Sequence, residues 1–86
     1  MKFYFDAMDN RPAYLQIVDR LVREIESGVH PRGQRLPDLS TLVAFYGTAE
    51  DIVLRALAQL RREGYVLLDA TGDATVCEVL PRIKLD

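Results

Sequence analysis

The sequence predicts an α+β domain of three helices followed by a β-hairpin, and three observations carry that prediction. Apolar residues in the stretches AYLQIVDRLVREIESG and TAEDIVLRALAQLRREG recur at three- and four-residue steps, the period of one helix face. A glycine stands at the end of each stretch, Gly28 and Gly64, where a left-handed residue closes a helix. In YVLLDATGDATVCEVL the chain changes to two apolar, β-branched runs around Gly72 and Asp73, the pattern of a hairpin.

The opening Phe3, Tyr4 and Phe5, followed by a turn-prone stretch, fit a short edge strand or an extended arm over residues 1–11. Pro12 reads as a first-turn proline of the first helix, with Asn10 as its cap. Tyr14, Ile17, Val18, Leu21 and Ile25 make that helix's inward face. A connection with two prolines and a glycine follows. Asp38 is then an N-cap candidate for a short helix that buries Leu39, Leu42, Val43 and either Phe45 or Tyr46 and stops at Gly47. Thr48 is expected to cap the third helix, whose inward face is Val53, Ala56, Leu57 and Leu60. Helix, helix, turn, helix and hairpin is the order of a winged helix-turn-helix fold. The expected division is a three-helix core over residues 12–64 and a wing over residues 65–80, within a single domain of residues 1–86.

Composition narrows the function. Eighty-six residues suffice for one small core, and 49% hydrophobic with 28% charged residues describes a globular chain. No apolar run approaches the roughly 20 residues that cross a bilayer, and MKFYFDAMDN lacks the apolar stretch of a signal peptide. The expectation is a cytoplasmic protein with no membrane partner. One cysteine, Cys77, cannot form an internal disulfide and reads as a buried thiol. With His30 it leaves too few soft ligands for a structural zinc, so no metal or cofactor is expected. No nucleophile elbow, phosphate loop, zinc-protease helix or dinucleotide fingerprint is present, so there are no catalytic candidates and an enzyme is not expected. The net charge of −2 is unfavourable for a nucleic-acid binder, although the basic residues cluster as arginines.

The combination of motifs resembles the DNA-binding domain of GntR-type bacterial transcription regulators, and the leading FYFD is similar to that family's short-form branch. The likeness covers about residues 3–79. It rests on proline–Tyr14–x–Gln16–Ile17, Ser27–Gly28, Pro31–x–Gly33, Arg35–Leu36–Pro37 and Arg55–Ala56–Leu57 leading to Glu63–Gly64. The resemblance implies DNA contacts at the start of the second helix, along the third helix and in the wing.

At those positions the chemistry departs from the family's pattern. Where the family has Ser-Glu-Arg after leucine-proline, this chain has Asp38, Leu39 and Ser40. Where it has Ser-Arg and then Thr or Pro at the head of the third helix, Ala49, Glu50 and Ile52 stand here. The first of two paired arginines is Leu54, and the wing carries Leu68, Asp69 and Asp73 in place of basic residues. Only Arg35 and Arg55 keep register. Glu50 and Asp51 complement the helix dipole, but they repel a phosphate within a screening length of about 8 Å.

Two readings stay open. In the first, the domain binds DNA weakly or with altered recognition through Arg35, Ser40, Thr48, Arg55 and Arg61. In the second, it has exchanged DNA for a protein partner met by Glu50, Asp51, Ile52, Leu54 and Leu68, of which Ile52 and Leu68 can equally be packed at the core margin. A homodimer would use the aromatic arm, the first helix or the hairpin. No small-molecule effector domain is expected, since nothing of that kind follows the hairpin.

Overall fold

The computed structural model describes residues 10–81; the aromatic arm predicted at residues 3–5 lies outside them. The element order is α1 (Ala13–Glu26), α2 (Leu39–Tyr46), α3 (Glu50–Arg62), β1 (Val66–Leu68) and β2 (Ala74–Val76). The α+β winged helix-turn-helix predicted from the sequence is the fold. No described helix is long and apolar enough to cross a membrane.

The helix α3 packs against α1, α2 and β1. Its Val53, Ala56, Leu57 and Leu60 are buried together with Ile17, Val18, Leu21 and Ile25 of α1. At about 25 cal/mol per Å² of apolar surface, this helix seam is the main stabilising contact. The short α2 adds Leu42 and Tyr46. Burial raises the Tyr46 hydroxyl pKa well above its ordinary value, which keeps it neutral inside the core.

Helix boundaries correct the sequence reading in two places. Pro12 occupies the N-cap of α1 instead of its first turn, and its carbonyl accepts from the Leu15 N–H at 3.0 Å, so Asn10 does not cap the helix. Thr48 does not cap α3 either. Ala49, in extended backbone, takes that place without a side-chain cap, two residues after the left-handed Gly47. Asp38 does cap α2, accepting from the Thr41 N–H at 2.9 Å. That hydrogen bond holds its carboxyl below the usual range.

The hairpin is antiparallel, with Val66 opposite Val76 and Leu68 opposite Ala74. Residues 33–36, read from the sequence as connection, run beside β2 as a third edge. The Leu36 N–H donates to the Ala74 carbonyl and the Val76 N–H to the Gln34 carbonyl, both at 2.9 Å. An isolated bridge joins Arg35 to Thr75. This pairing brings the segment before α2 against the wing and positions the site described next.

Candidate nucleic-acid interface

Three elements meet at the wing turn. Asp69 organises the turn by accepting on Oδ1 from the Thr71 N–H at 2.9 Å, the Thr71 hydroxyl at 2.6 Å and the Asp73 N–H at 3.1 Å. The Thr71 hydroxyl most of all, then the backbone donors and the Arg35 charge, outweigh burial and keep the Asp69 carboxyl below its usual range. Asp69 is therefore a firm anion at neutral pH. Across the turn, Asp73 accepts on Oδ1 from the Leu39 N–H at 3.3 Å, tying the wing to the first turn of α2.

Arg35 closes this arrangement. Its Nη2 donates to Asp69 Oδ2 and to Asp73 Oδ2, each at 3.1 Å, so one guanidinium nitrogen is shared by two wing carboxylates. The arginine side chain is still 62% exposed, and exposed ion pairs of this type contribute little to stability. Their larger effect is on charge: the one basic residue retained before α2 is locally neutralised.

Arg55 is placed differently. Its guanidinium carbon lies 4.5 Å from the centre of the Tyr14 ring, a cation–π contact that orients the group without cancelling its charge. Tyr14 belongs to the motif that opens α1, so two of the family-like positions meet in space. Arg61 lies exposed in the last turn of α3, beside Arg62, which donates to Gln59. The axis rises roughly 16 Å between Glu50 and Arg61 at 1.5 Å per residue, about two screening lengths at physiological salt. Arg61 therefore does little to offset the acidic head of the helix. Ser40 is exposed in the first turn of α2, and Thr48 is half-buried in the turn before α3.

The residues singled out for a protein partner separate into two groups. Glu50 and Asp51 are exposed in the first turn of α3. Ile52 and Leu68 are half-buried and pack against the core, which is the marginal packing that the sequence left open. Leu54 is half-buried on the wing: a Cβ added at Gly72 would lie 3.4 Å from Leu54 Cδ2 and 4.0 Å from Leu39 Cδ2. That spacing is ordinary contact, and it is the φ of +90° at Gly72 that makes the turn need glycine. The apolar residue that β-alternation does leave outward is Leu67, 63% exposed.

The sequence reading missed the grip of Asp69 and Asp73 on Arg35. The two aspartates were visible as replacements of basic wing residues. Their partner lies more than thirty positions away, through a β-type pairing that no local pattern announces.

Comparison with known proteins identifies the architecture. No curated protein matches the sequence. Among solved structures, YtrA from Sulfolobus acidocaldarius, a GntR-family transcription factor, superposes with a TM-score of 0.78 at 24% identity over 93% of this chain and 68% of its own. A GntR family transcriptional regulator from Listeria monocytogenes gives 0.77 at 25% identity, over 87% of this chain and 64% of its own. The DNA-binding domain of AraR, solved in complex with operator ORE1, gives 0.76 at 18% identity and is covered over 94% of its length. This chain thus spans about two thirds of the length of the two regulators and nearly all of the isolated AraR domain. The family model of bacterial regulatory proteins, gntR family, matches residues 13–82. The chain belongs to the gntR family of bacterial regulatory proteins, and its three helices and hairpin are that family's winged helix-turn-helix DNA-binding domain.

Proposed function

We propose that this domain associates with DNA as part of a transcription regulator, with weak and salt-sensitive binding. The observation that carries this reading is the position of Arg35, held 3.1 Å from both Asp69 and Asp73. A phosphate must compete with two carboxylates for that guanidinium. Each phosphate contact not made removes a counterion-release contribution from affinity. Arg55, oriented on Tyr14, is the principal remaining contact, helped by Ser40, Thr48 and Arg61 at the edges. DNA as the partner is supported by the AraR domain complexes with operators ORE1 and ORX1, which share the fold.

The exposed Glu50 and Asp51 favour a second reading, in which the head of α3 and the wing meet a basic protein surface. The packing of Ile52, Leu54 and Leu68 leaves that surface mainly polar, with Leu67 as its apolar residue. Fluorescence anisotropy with a labelled random duplex, run from low to physiological salt, distinguishes the two. Binding that is present at low salt and falls steeply supports the DNA reading. No binding at any salt, together with capture of a basic protein by the wild-type domain but not by E50R/D51R, supports the protein reading.

A further inference from the structure

Arg55 stands midway along α3 with its side chain exposed, and Asp51, also exposed, lies one turn before it. An acid four residues ahead of an arginine is the favoured order for an ion pair along a helix. In α1 the same spacing is used, with Arg20 paired to Glu24. In α3 it is not. Among the described residues no ion pair or side-chain hydrogen bond joins Arg55 to Asp51 or to any other carboxylate. The guanidinium carbon lies instead 4.5 Å from the centre of the Tyr14 ring.

The ring is held in place from α1. Tyr14 is the second residue of that helix and packs, half-buried, against the core. The turn that carries it is fixed at its start: the Leu15 N–H donates to the Pro12 carbonyl at 3.0 Å, and Gln16 Nε2 donates to the Arg11 carbonyl at 3.4 Å. One turn further, Ile17 and Val18 are buried in the same core as Ala56 and Leu57 of α3, the residues that follow Arg55. The first turn of α1 contains no acidic residue, so Arg55 meets there a ring face and no anion.

On the DNA reading proposed above, we infer that Tyr14 is a positioning residue: its ring holds Arg55 away from Asp51 and so keeps that guanidinium available to a phosphate. A ring face attracts the cation without neutralising it. A carboxylate neutralises it, as Asp69 and Asp73 do to Arg35. Without the ring, Arg55 turns back to Asp51 at the ordinary helical spacing, and the domain loses its principal phosphate contact.

The test is the salt dependence of binding to a labelled random duplex, with far-UV circular dichroism as the check on folding. Y14L is expected to lower the slope of log affinity against log salt by about 0.9, one phosphate contact. Y14F keeps the ring face and is expected to keep the parent slope. In a D51N background Y14L is expected to change the slope little, because the competing anion is gone. An equal loss with and without Asp51 overturns the inference, since a general loosening of α1 would not depend on that carboxylate. A parent that binds duplex while Y14L keeps its slope also overturns it and leaves the DNA reading standing. A parent that binds no duplex at any salt overturns both. If Y14L does not fold, pentafluorophenylalanine at position 14 takes its place, keeping the ring's shape while reversing the polarity of its face. The same loss of slope is expected, and a parental slope overturns the inference.

Discussion

The two faces of α3 follow different rules. Its inward face, Val53, Ala56, Leu57 and Leu60, is sealed against α1, with every one of these residues no more than 1% exposed. Its outward face begins with Glu50 and Asp51, passes Leu54 wedged against the wing, and reaches a positive group only at Arg55 and the last turn. The inward face is constrained by packing, where a lost methylene leaves a cavity. The outward face is constrained only by what it touches, so its charge can reverse while the fold stands. The fold therefore rests on the seam, whereas function rests on a surface that the seam does not specify.

The seam should give the largest response. L57A is expected to destabilise the domain by about 2–5 kcal/mol through lost burial and the cavity left behind, read as the midpoint of urea unfolding. A midpoint indistinguishable from the parent would mean that the two faces are equally tolerant.

The outward face is tested by charge. In E50R/D51G/L54R two new guanidinium groups can each add about 0.9 to the slope of log affinity against log salt. Nonspecific DNA binding is therefore expected to strengthen at low ionic strength, and binding to any basic protein partner is expected to be lost. Because Leu54 also packs on Gly72, the double variant E50R/D51G is the matched control. If the double and triple variants both bind duplex no better than the parent, this face does not approach DNA.

A smaller gain is expected from D69N/D73N. Asparagine keeps an oxygen for the Thr71, Asp73 and Leu39 donors while removing both charges from Arg35. Release of one guanidinium adds about one phosphate contact, or about 0.9 in salt slope, with little change in stability. An unchanged slope would show that Arg35 does not reach phosphate even when unpaired.

The smallest effect is on acid stability. Asp38 and Asp69 are held below their ordinary value of 3.8 by hydrogen bonds from Thr41 and Thr71, respectively. Glu24 is also lowered: burial pushes it up, but the hydrogen bonds from Arg20 and His30 outweigh that. A carboxyl depressed in the folded state stabilises above its unfolded pKa, and that contribution is lost as pH falls through the folded value. The melting temperature is expected to hold from neutral pH to about pH 4 and to drop below it, and D69N should make the drop shallower. An acid limb identical in parent and variant would remove Asp69 from the account.

Much of this was legible from residue order. The 3.6-residue spacing of Ile17, Leu21 and Ile25, and of Val53, Leu57 and Leu60, named the seam because a helix repeats its face at that period whatever it packs against. Asp38 and the glycines at positions 28, 47 and 64 marked helix ends through local backbone chemistry. The acidic head of α3 was equally visible, being adjacent residues on one turn.

Tertiary structure alone decided what the surface residues do. Arg35 could be counted as a surviving phosphate contact until residues 33–36 paired with β2 and set it between Asp69 and Asp73. Leu54 projected outward by helix geometry until the wing turn closed over it at Gly72. Arg55 acquired an orientation only when α1 delivered Tyr14 beneath it. Periodicity and capping act over a few neighbouring residues and so are written in sequence. Charge pairing and side-chain cover act across space, between segments whose approach only the folded chain determines.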